Sequence, residues 1–235
     1  MGREIERILV ERGHSIALIV DRDNTDDLTP ENLHGVDAAI EFTTPSTAFD
    51  NLRICFEAGV PVVCGTTGWT ERLHEAEALC RQHGGAFFYA SNYSIGVNVF
   101  FEVNRKLAEL MNRFGAYDVT VEETHHTQKK DAPSGTALML ADAINEENNG
   151  AYHYVYDRSS VRQKRDPKEI GISSVRGGSI VGDHEVLFCG QDEVITLKHT
   201  AYSRSIFANG AVNAAVYLAK KEPGLYNMGN MIAEM

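Results

Sequence analysis

The chain lacks any long apolar run and is poor in positive charge, and these absences exclude two classes of function. No hydrophobic segment approaches the roughly 20 residues that a membrane-spanning helix needs, and residues 1–7 lack the apolar core of a signal peptide. Lysine and arginine number 22 against 33 acidic residues, which gives a formal net charge of −11. Because phosphate binding needs clustered cations, nucleic acid is not expected as a partner. A local cationic pocket for a small anionic metabolite remains compatible with this charge.

Cysteine is also scarce. The four cysteines are scattered and show no CxxC spacing, so we expect no structural zinc site. Their isolation makes a reducing cytoplasm the simplest compartment. The sequence has neither an internal repeat nor a low-complexity tract, and its 235 residues, 43% of them hydrophobic, suffice for one large domain or two small ones. The cysteines are Cys55, Cys64, Cys80 and Cys189.

The first half of the chain alternates between helical and strand-like segments. Apolar periodicity predicts a helix over residues 4–12, and the continuous apolar run at 15–20 predicts a buried parallel strand. Strand–helix alternation of this kind implies a Rossmann-type, doubly wound parallel sheet in an α/β fold. Ligands of such sheets bind beyond the carboxyl ends of the strands. Further strands are predicted at 36–42, 61–64 and 86–89, with helices at 46–57 and 70–83.

The pattern changes after Tyr93. Three strand-like segments joined by glycine-rich turns predict a second, α+β domain with a mixed or antiparallel sheet. The polar stretch 148–167 is predicted to be an irregular loop. We expect one domain at 1–93, completed by the C-terminal helical segment 205–235, and a second at 94–204. The predicted elements are helices at 98–114, 134–147 and 207–220 and strands at 117–121, 172–176, 184–189 and 194–199.

Asp21 and Arg22 follow the apolar run at 15–20 directly. An aspartate at this point of a nucleotide-binding unit can accept hydrogen bonds from a ribose diol. An adjacent arginine can pair with a 2′-phosphate, so the two residues indicate tolerance of both NADH and NADPH. Taken alone, an aspartate after a strand is usually a turn residue.

The glycine-rich turn that normally opens a nucleotide-binding domain is missing. The chain begins at Met1-Gly2-Arg3, already at the start of the first predicted helix. We therefore expect that a natural N-terminal segment of about a dozen residues, one strand plus a turn, is lacking from this sequence. An inability to bind nucleotides is the competing interpretation.

Two loops that leave predicted strands are small and carry hydroxyl groups. Small residues permit a ligand to approach the backbone closely, and hydroxyl and amide groups can bond a carboxamide or a ribose. Either loop alone could be an ordinary turn. Two such loops at one edge of one sheet give cofactor binding equal weight with the turn interpretation. The loops contain Gly65, Thr66 and Thr67, and Ala90, Ser91, Asn92 and Tyr93.

Residues 123–137 carry the strongest signal in the chain. His125, His126 and Lys129 lie between a predicted strand and a helix that Ser134 opens. The free N–H groups of a helix N-terminus can bind a carboxylate, while a nearby histidine or lysine moves a proton. A solvated charged loop is the alternative for any His-Lys cluster, but the Pro-Ser-Gly-Thr cap favours a site for a small anionic substrate.

Together, these segments resemble the dihydrodipicolinate reductase family of lysine biosynthesis over essentially the whole chain. Residues 123–137 match the family's E-x-H-H-x-x-K-x-D-A-P-S-G-T-A motif without a mismatch, and residues 176–184 are similar to its R-x-G-x-I-V-G-[DE]-H segment. The loops at 65–68 and 92–98 and the segment 223–226 match as well. The resemblance implies a Rossmann-type cofactor domain and a substrate domain whose sheet builds a homotetramer. It also implies hydride transfer from NADH or NADPH to a small cyclic dicarboxylate, giving tetrahydrodipicolinate.

The resemblance also implies roles for individual residues. His125 would be the acid–base residue and Lys129 a proton donor, while His126, Gly135 and Thr136 would bind substrate. The hydride chemistry belongs to the cofactor, so no catalytic metal is expected. Thr44 stands where some relatives carry arginine, which implies the loss of one cofactor contact. The implied cofactor-binding residues are Gly65, Thr66, Thr67, Ala90, Ser91, Asn92 and Tyr93 on the nicotinamide side and Asp21 and Arg22 at the adenosine ribose, with Arg204 and Phe207 as further candidates.

Other interpretations stay open. Lys130 is interpreted as a solvated neighbour of Lys129, and three histidines without a partner pattern, His153, His184 and His199, as surface or structural residues. A non-catalytic sensor of dicarboxylates or nucleotides is the alternative function, with the pocket retained and turnover lost. A different two-domain dehydrogenase, such as a homoserine or semialdehyde enzyme, is the third, but such enzymes lack the paired-histidine and Pro-Ser-Gly-Thr arrangement.

Overall fold

A computed structural model describes residues 1–235, which fold into two compact units. Unit 1 comprises Met1–Ile95 and Ser205–Met235, and unit 2 comprises Gly96–Arg204. None of the helices combines the length and the apolar composition needed to cross a membrane.

Unit 1 contains a parallel sheet with short strands. Its strands are Ala39–Glu41 (β1), Val62–Cys64 (β2), Ala86–Tyr89 (β3) and Gly224–Tyr226 (β9), and its helices are Gly2–Glu11 (α1), Ala48–Glu57 (α2), Leu73–Gln82 (α3), Ser205–Leu218 (α6) and Met228–Ala233 (α7). The strands lie in the order β1-β2-β3-β9, and every pairing is parallel. All of β2 is buried, as expected for a parallel sheet covered on both faces. The predicted Rossmann-type fold is confirmed.

The prediction of a buried strand at residues 15–20 is wrong. This segment belongs to no strand of the sheet, and its side chains alternate between half-buried and exposed. A strand forms only through hydrogen bonds to a neighbour, and an apolar run does not supply that neighbour. Periodicity also missed β9 and α7, because elements of three and six residues are shorter than the window that a period needs.

Unit 2 contains a mixed sheet with two helices. The strands are Asp118–His125 (β4), His153–Tyr156 (β5), Glu169–Arg176 (β6), Gly182–Cys189 (β7) and Val194–Ala201 (β8), and the helices are Ile95–Met111 (α4), which begins one residue before the unit, and Gly135–Glu147 (α5). The sheet order is β5-β6-β4-β7-β8, with β4 parallel to β6 and antiparallel to β7. Buried side chains of α4 and α5 pack with those of β4, β6 and β7 in one core. The predicted mixed sheet is confirmed.

Part of the stretch predicted as irregular, 148–167, is ordered structure. Residues 153–156 form β5, and a short 3₁₀ turn follows at Arg158–Ser160. Arg158 forms an ion pair with the buried Glu169, and Arg165 forms one with Asp118. Polar side chains of the stretch predicted to be an irregular loop instead fasten it to the sheet.

Successive side chains of β4 point to opposite faces of the sheet, and this alternation positions Glu123 and His125. Its burial alternates along the strand, with Val119, Val121, Glu123 and His125 pointing inward. The first two belong to the apolar core of unit 2, whereas the last two are polar. A strand that delivers apolar side chains to the core therefore delivers an acid and a base at its carboxyl end.

Candidate active site

Glu123 and His125 form a buried acid–base pair at the carboxyl end of β4. The Glu123 side chain is fully buried and that of His125 is 10% exposed. The Glu123 carboxylate is hydrogen-bonded to Nδ1 of His125. Two residues apart on one strand, the side chains share a face, which brings them together without a turn.

Arg176 and Ser134 hold the Glu123 carboxylate from two other elements. Arg176 stands opposite His125 in the pairing of β6 with β4. Its guanidinium donates two hydrogen bonds to the carboxylate, at 2.9 and 2.7 Å. The backbone N–H of Ser134 donates a further one at 3.3 Å. A buried carboxylate with this many donors is kept ionised and fixed in place.

The surroundings shift the pKa values of both groups. Burial is the largest influence on Glu123 and raises its pKa, but the hydrogen bonds from Arg176, Ser174 and His125 together outweigh it and hold that pKa below its usual value. Burial likewise lowers the pKa of His125, and the opposing influence of Glu123 does not fully offset it. His125 is therefore neutral near pH 7, and an anionic ligand beside it would favour its protonated form.

His184, interpreted from the sequence as a surface or structural histidine, belongs to this site. It lies opposite Glu123 in the pairing of β7 with β4, and its ring centroid is 4.9 Å from that of His125. Its Nε2 atom is 3.0 Å from the hydroxyl oxygen of Ser134. Burial, together with the nearby His125, lowers the pKa of His184 to about 4. Cross-strand register brings it here, and the signal in the sequence that could have indicated His184 is its place at the end of the segment 176–184.

The same three side chains lie close enough together to suggest a metal site. The ligand atoms of Glu123, His125 and His184 are all within 4.8 Å of one another. However, both Glu123 oxygens already accept hydrogen bonds from the Arg176 guanidinium, and His184 is hydrogen-bonded to Ser134. A cation would have to compete with a buried positive charge, so this donor set favours a hydrogen-bonded network.

Lys129 lies in the loop after β4. Its ammonium group is 2.8 Å from a carboxylate oxygen of Asp131, and its side chain is 22% exposed. Hydrogen bonding to Lys129 lowers the pKa of Asp131, so that carboxylate is ionised at neutral pH. The neighbouring Lys130 is exposed, as the sequence indicated.

The N-terminus of α5 adds anion-binding groups to the same unit. Ser134 caps the helix, because its hydroxyl accepts a hydrogen bond from the N–H of Ala137 at 3.2 Å. Gly135 and Thr136 follow in the first turn, where N–H groups have no intrahelical acceptor. Arg204 donates to Nε2 of His126 at 3.1 Å.

Replacing Ser134 by alanine should lower the free energy of unfolding by about 1–2 kcal/mol, the usual cost of losing such a helix cap. Urea denaturation of the whole chain measures this change. The matched control is Ser179→Ala in an exposed turn, which should stay within about 0.5 kcal/mol of the parent. Equal stability of the two variants would contradict the capping role.

In unit 1, a buried carboxylate organises the strand ends. Glu41, at the end of β1, accepts hydrogen bonds from the hydroxyls of Thr43 and Thr66 and from the thiol of Cys64. The Thr66 hydroxyl also accepts from the N–H of Thr43 at 2.7 Å. The Thr66 side chain is therefore engaged within the protein, and its backbone carbonyl accepts a hydrogen bond from the indole N–H of Trp69 at 2.7 Å.

Gly65 lies beneath the ring of Phe42. A Cβ atom at this position would be 2.1 Å from that ring, so only glycine fits the observed arrangement. Thr67 is exposed beside it. These residues border a cavity of about 330 Å³, lined by Met1, Phe42, Thr43, Pro45, Gly65, Thr66 and Thr67.

The loop from Ala90 to Tyr93 presents its residues unequally. Ser91 is exposed and Ala90 and Asn92 are half-buried, whereas Tyr93 is buried in the core of unit 1. The Tyr93 hydroxyl donates to the carbonyl of Cys64 at 2.6 Å. The Tyr93 side chain thus ties the loop after β3 to β2.

Asp21 and Arg22 lie on an exposed turn of unit 1. The Asp21 carboxylate accepts a hydrogen bond from the backbone N–H of Arg22 at 2.7 Å, and the Asn24 side chain accepts one from the backbone N–H of Asp21 at 2.7 Å. This is turn geometry, and it does not require a ligand. Of the remaining candidates, Phe207 is half-buried in α6, and Thr44 is exposed.

Comparison with known proteins gives a consistent result over the whole chain. Residues 1–93 match the model of the dihydrodipicolinate reductase N-terminus, and residues 96–232 match that of the C-terminus. A protein of Christiangramia forsetii named 4-hydroxy-tetrahydrodipicolinate reductase is 41% identical over 237 residues, covering 100% of this chain and 95% of its own length. The protein of that name from Methanosarcina mazei is 44% identical over 197 residues, covering 83% of this chain and 73% of its own.

A solved structure agrees with these sequences. The dipicolinate-bound dihydrodipicolinate reductase of Paenisporosarcina sp. TG-14 is 26% identical and superimposes with a TM-score of 0.74. The match covers 96% of this chain and 92% of that one. The family resemblance of the sequence motifs is thus confirmed over both units.

Proposed function

The chain belongs to the dihydrodipicolinate reductase family, and from that premise we propose that it reduces 4-hydroxy-tetrahydrodipicolinate to tetrahydrodipicolinate in lysine and diaminopimelate biosynthesis. The observation that carries the proposal is the arrangement in unit 2. An acid–base histidine, a charged lysine and a helix N-terminus follow one another along β4, its loop and α5. These are the groups that a small dicarboxylate needs for binding and protonation.

Unit 1 is the proposed site of the cofactor, NADH or NADPH. When bound, the nicotinamide supplies the hydride. The residues present fit such a group, because the ends of β1 and β2 are followed by small and hydroxyl-bearing residues that border the cavity beside Thr67. Backbone groups of Thr66, Ala90, Ser91, Asn92 and Tyr93 would hold the nicotinamide end, and Asp21 with Arg22 the adenosine ribose.

Unit 2 is the proposed site of the dicarboxylate. The first-turn N–H groups of Gly135 and Thr136 would bind one carboxylate, and His126 would contact the substrate beside them. A bound dianion would raise the pKa of His125, so that His125 or the nearby Lys129 can deliver a proton to the atom that becomes electron-rich on hydride addition.

We further propose a homotetramer in the cytoplasm. Unit 2 would supply the oligomer contacts. Its helices α4 and α5 pack against the inward side chains of its sheet, which leaves the outward face of the sheet for contacts with other subunits. All four cysteines are free, and three of them are buried, which suits a reducing compartment. Analytical ultracentrifugation of the whole chain tests the oligomer.

The direct test is oxidation of NADH or NADPH by the purified chain with freshly generated substrate. Absorbance loss at the nicotinamide band that depends on substrate supports the reductase. Binding of a dipicolinate-like ligand without any cofactor oxidation, also after addition of the expected upstream segment, would favour the alternative of a non-catalytic sensor.

Replacing Lys129 by methionine should lower kcat by about 10²-fold or more, because a positioned proton donor contributes roughly 10²–10⁴-fold. The matched control is Lys130→Met, since Lys130 is adjacent, equally charged and exposed. Steady-state kinetics on the two variants measures the difference. Similar losses in both would mean that positive charge alone, and no particular ammonium group, matters in this loop.

A further inference from the structure

Glu123 is a fully buried carboxylate that the proposed reaction does not itself use. It carries no proton to the substrate and contributes no group to the helix N-terminus. Nevertheless, hydrogen bonds from three different elements converge on it: Arg176 on β6, the N–H of Ser134 at the start of α5, and His125 on its own strand. A buried charge costs several kcal/mol unless it is fully paired. This complete set of hydrogen-bond partners therefore points to a function for the charge itself.

The contacts determine which nitrogen of His125 carries hydrogen. An ionised carboxylate can only accept hydrogen bonds, so the Nδ1 atom that faces Glu123 must be the donor. Arg176 adds two further hydrogen bonds that keep the carboxylate from rotating. The other ring nitrogen, Nε2, is then the one that can exchange a proton.

The surroundings of Nε2 support this assignment. A Cβ atom at Gly182 would lie 2.9 Å from it, so the absence of a side chain there leaves space at this nitrogen. His184 packs edge-on against the ring, which limits its rotation. One nitrogen is therefore held by charge and the other is left accessible.

We propose that Glu123 is a positioning residue: together with Arg176 it fixes His125 in the Nδ1–H tautomer and stabilises its protonated form, so that Nε2 is the proton donor. The assignment of His125 as donor rests on the proposed reductase function. The tautomer and the charge effect can be measured without turnover.

The effect of removing the charge has a definite sign. The charged and titratable groups that face His125 are Glu123 on its own strand, Lys129 in the following loop, Arg176 on β6 and His184 on β7. Only Glu123 is negative among these. Without its charge, the pKa of His125 should fall, and because a general acid works only while protonated, activity should be lost at a lower pH than in the parent.

The test is ¹⁵N NMR of histidine-labelled protein, with the His125 signals assigned from their absence in His125→Gln. We expect the Nδ1–H form in the parent chain and a fall of about 1–3 pH units in the His125 pKa in Glu123→Gln. The control, Glu122→Gln, lies next to it on β4 but on the exposed side, and should leave that pKa unchanged. An Nε2–H tautomer in the parent, or an unchanged pKa in Glu123→Gln, would overturn the proposal.

Kinetics separates a positioning role from a structural one. Glu123→Gln should lower kcat at least tenfold or so, with KM nearly unchanged and the alkaline limb of the pH profile moved to lower pH. Glu123→Asp, which keeps the charge, should recover part of kcat. If Glu123→Gln fails to fold, Glu123→Gln/Arg176→Met removes both buried charges. Because loss of Arg176 by itself raises the pKa of His125, this variant is compared with Arg176→Met, and the same fall in that pKa is expected between the two. A parent chain that never oxidises NADH or NADPH refutes the reductase function but leaves the NMR result intact.

Discussion

Replacing His125 by glutamine is expected to lower kcat by about 10²- to 10⁴-fold, the contribution of a well-placed general acid. Glutamine retains an N–H donor for the buried Glu123 carboxylate, so the carboxylate is not left unpaired, but glutamine cannot deliver a proton. Cofactor affinity should change by no more than about twofold, because the proposed cofactor residues lie in unit 1. Steady-state rates and fluorescence titration with NADH and NADPH measure the two quantities.

The control for this variant is His153→Gln, at an exposed position of β5. It should leave both kcat and cofactor affinity unchanged. If His125→Gln instead weakened turnover and cofactor binding to the same degree, His125 would be a structural residue. The melting temperature of His125→Gln should be close to that of the parent chain, because otherwise a loss of activity would reflect unfolding.

Replacing Gly210 by alanine is expected to destabilise the chain by about 2–3 kcal/mol or more. In the interior of a helix alanine is normally better than glycine by roughly 0.5–1 kcal/mol, so the expected sign is the opposite of the intrinsic preference. The reason is contact: a Cβ on Gly210 would lie 1.7 Å from the carbonyl oxygen of Tyr93, which is backbone and cannot turn aside. Overpacking of this kind typically costs about 1–3 kcal/mol, sometimes more.

Urea denaturation of Gly210→Ala and of Gly2→Ala measures this prediction. Gly2 begins α1, and a Cβ there would meet no atom within 4 Å. Gly2→Ala should therefore be as stable as the parent or slightly more stable. A Gly210→Ala variant that matched it would show that α6 can move away from Tyr93 at little cost.

Much of the fold and part of the site followed from local sequence patterns. Strand β3 and helix α5 lie within a residue of their predicted bounds, because a continuous apolar run and a serine cap act over a few neighbouring residues. The dense motif at the end of β4 and in the loop after it indicated His125 and Lys129 for the same reason. The segment 15–20 shows the limit: its composition was right for a strand, but a strand also needs a partner.

The rest of the site depends on contacts between distant residues. Arg176 meets Glu123 across 53 positions, and His184 meets Ser134 across 50. Neither pairing leaves a local trace, since register between strands is decided by the whole sheet. Glu123 is the intermediate case. Strand alternation places it on the same face as His125, and the sequence alone could have indicated that pairing.

The hydrogen bond from the Ser134 backbone to Glu123 links the start of α5 to the carboxylate that we propose positions His125. Ends of helices fray more readily than their middles, at a free energy well below that of global unfolding. When this turn frays, the cap is lost, the buried carboxylate loses a donor and the N–H groups proposed for the substrate lose their alignment. Warming would then abolish activity through the fraying of a single helical turn, well below the temperature at which the sheet of unit 2 unfolds.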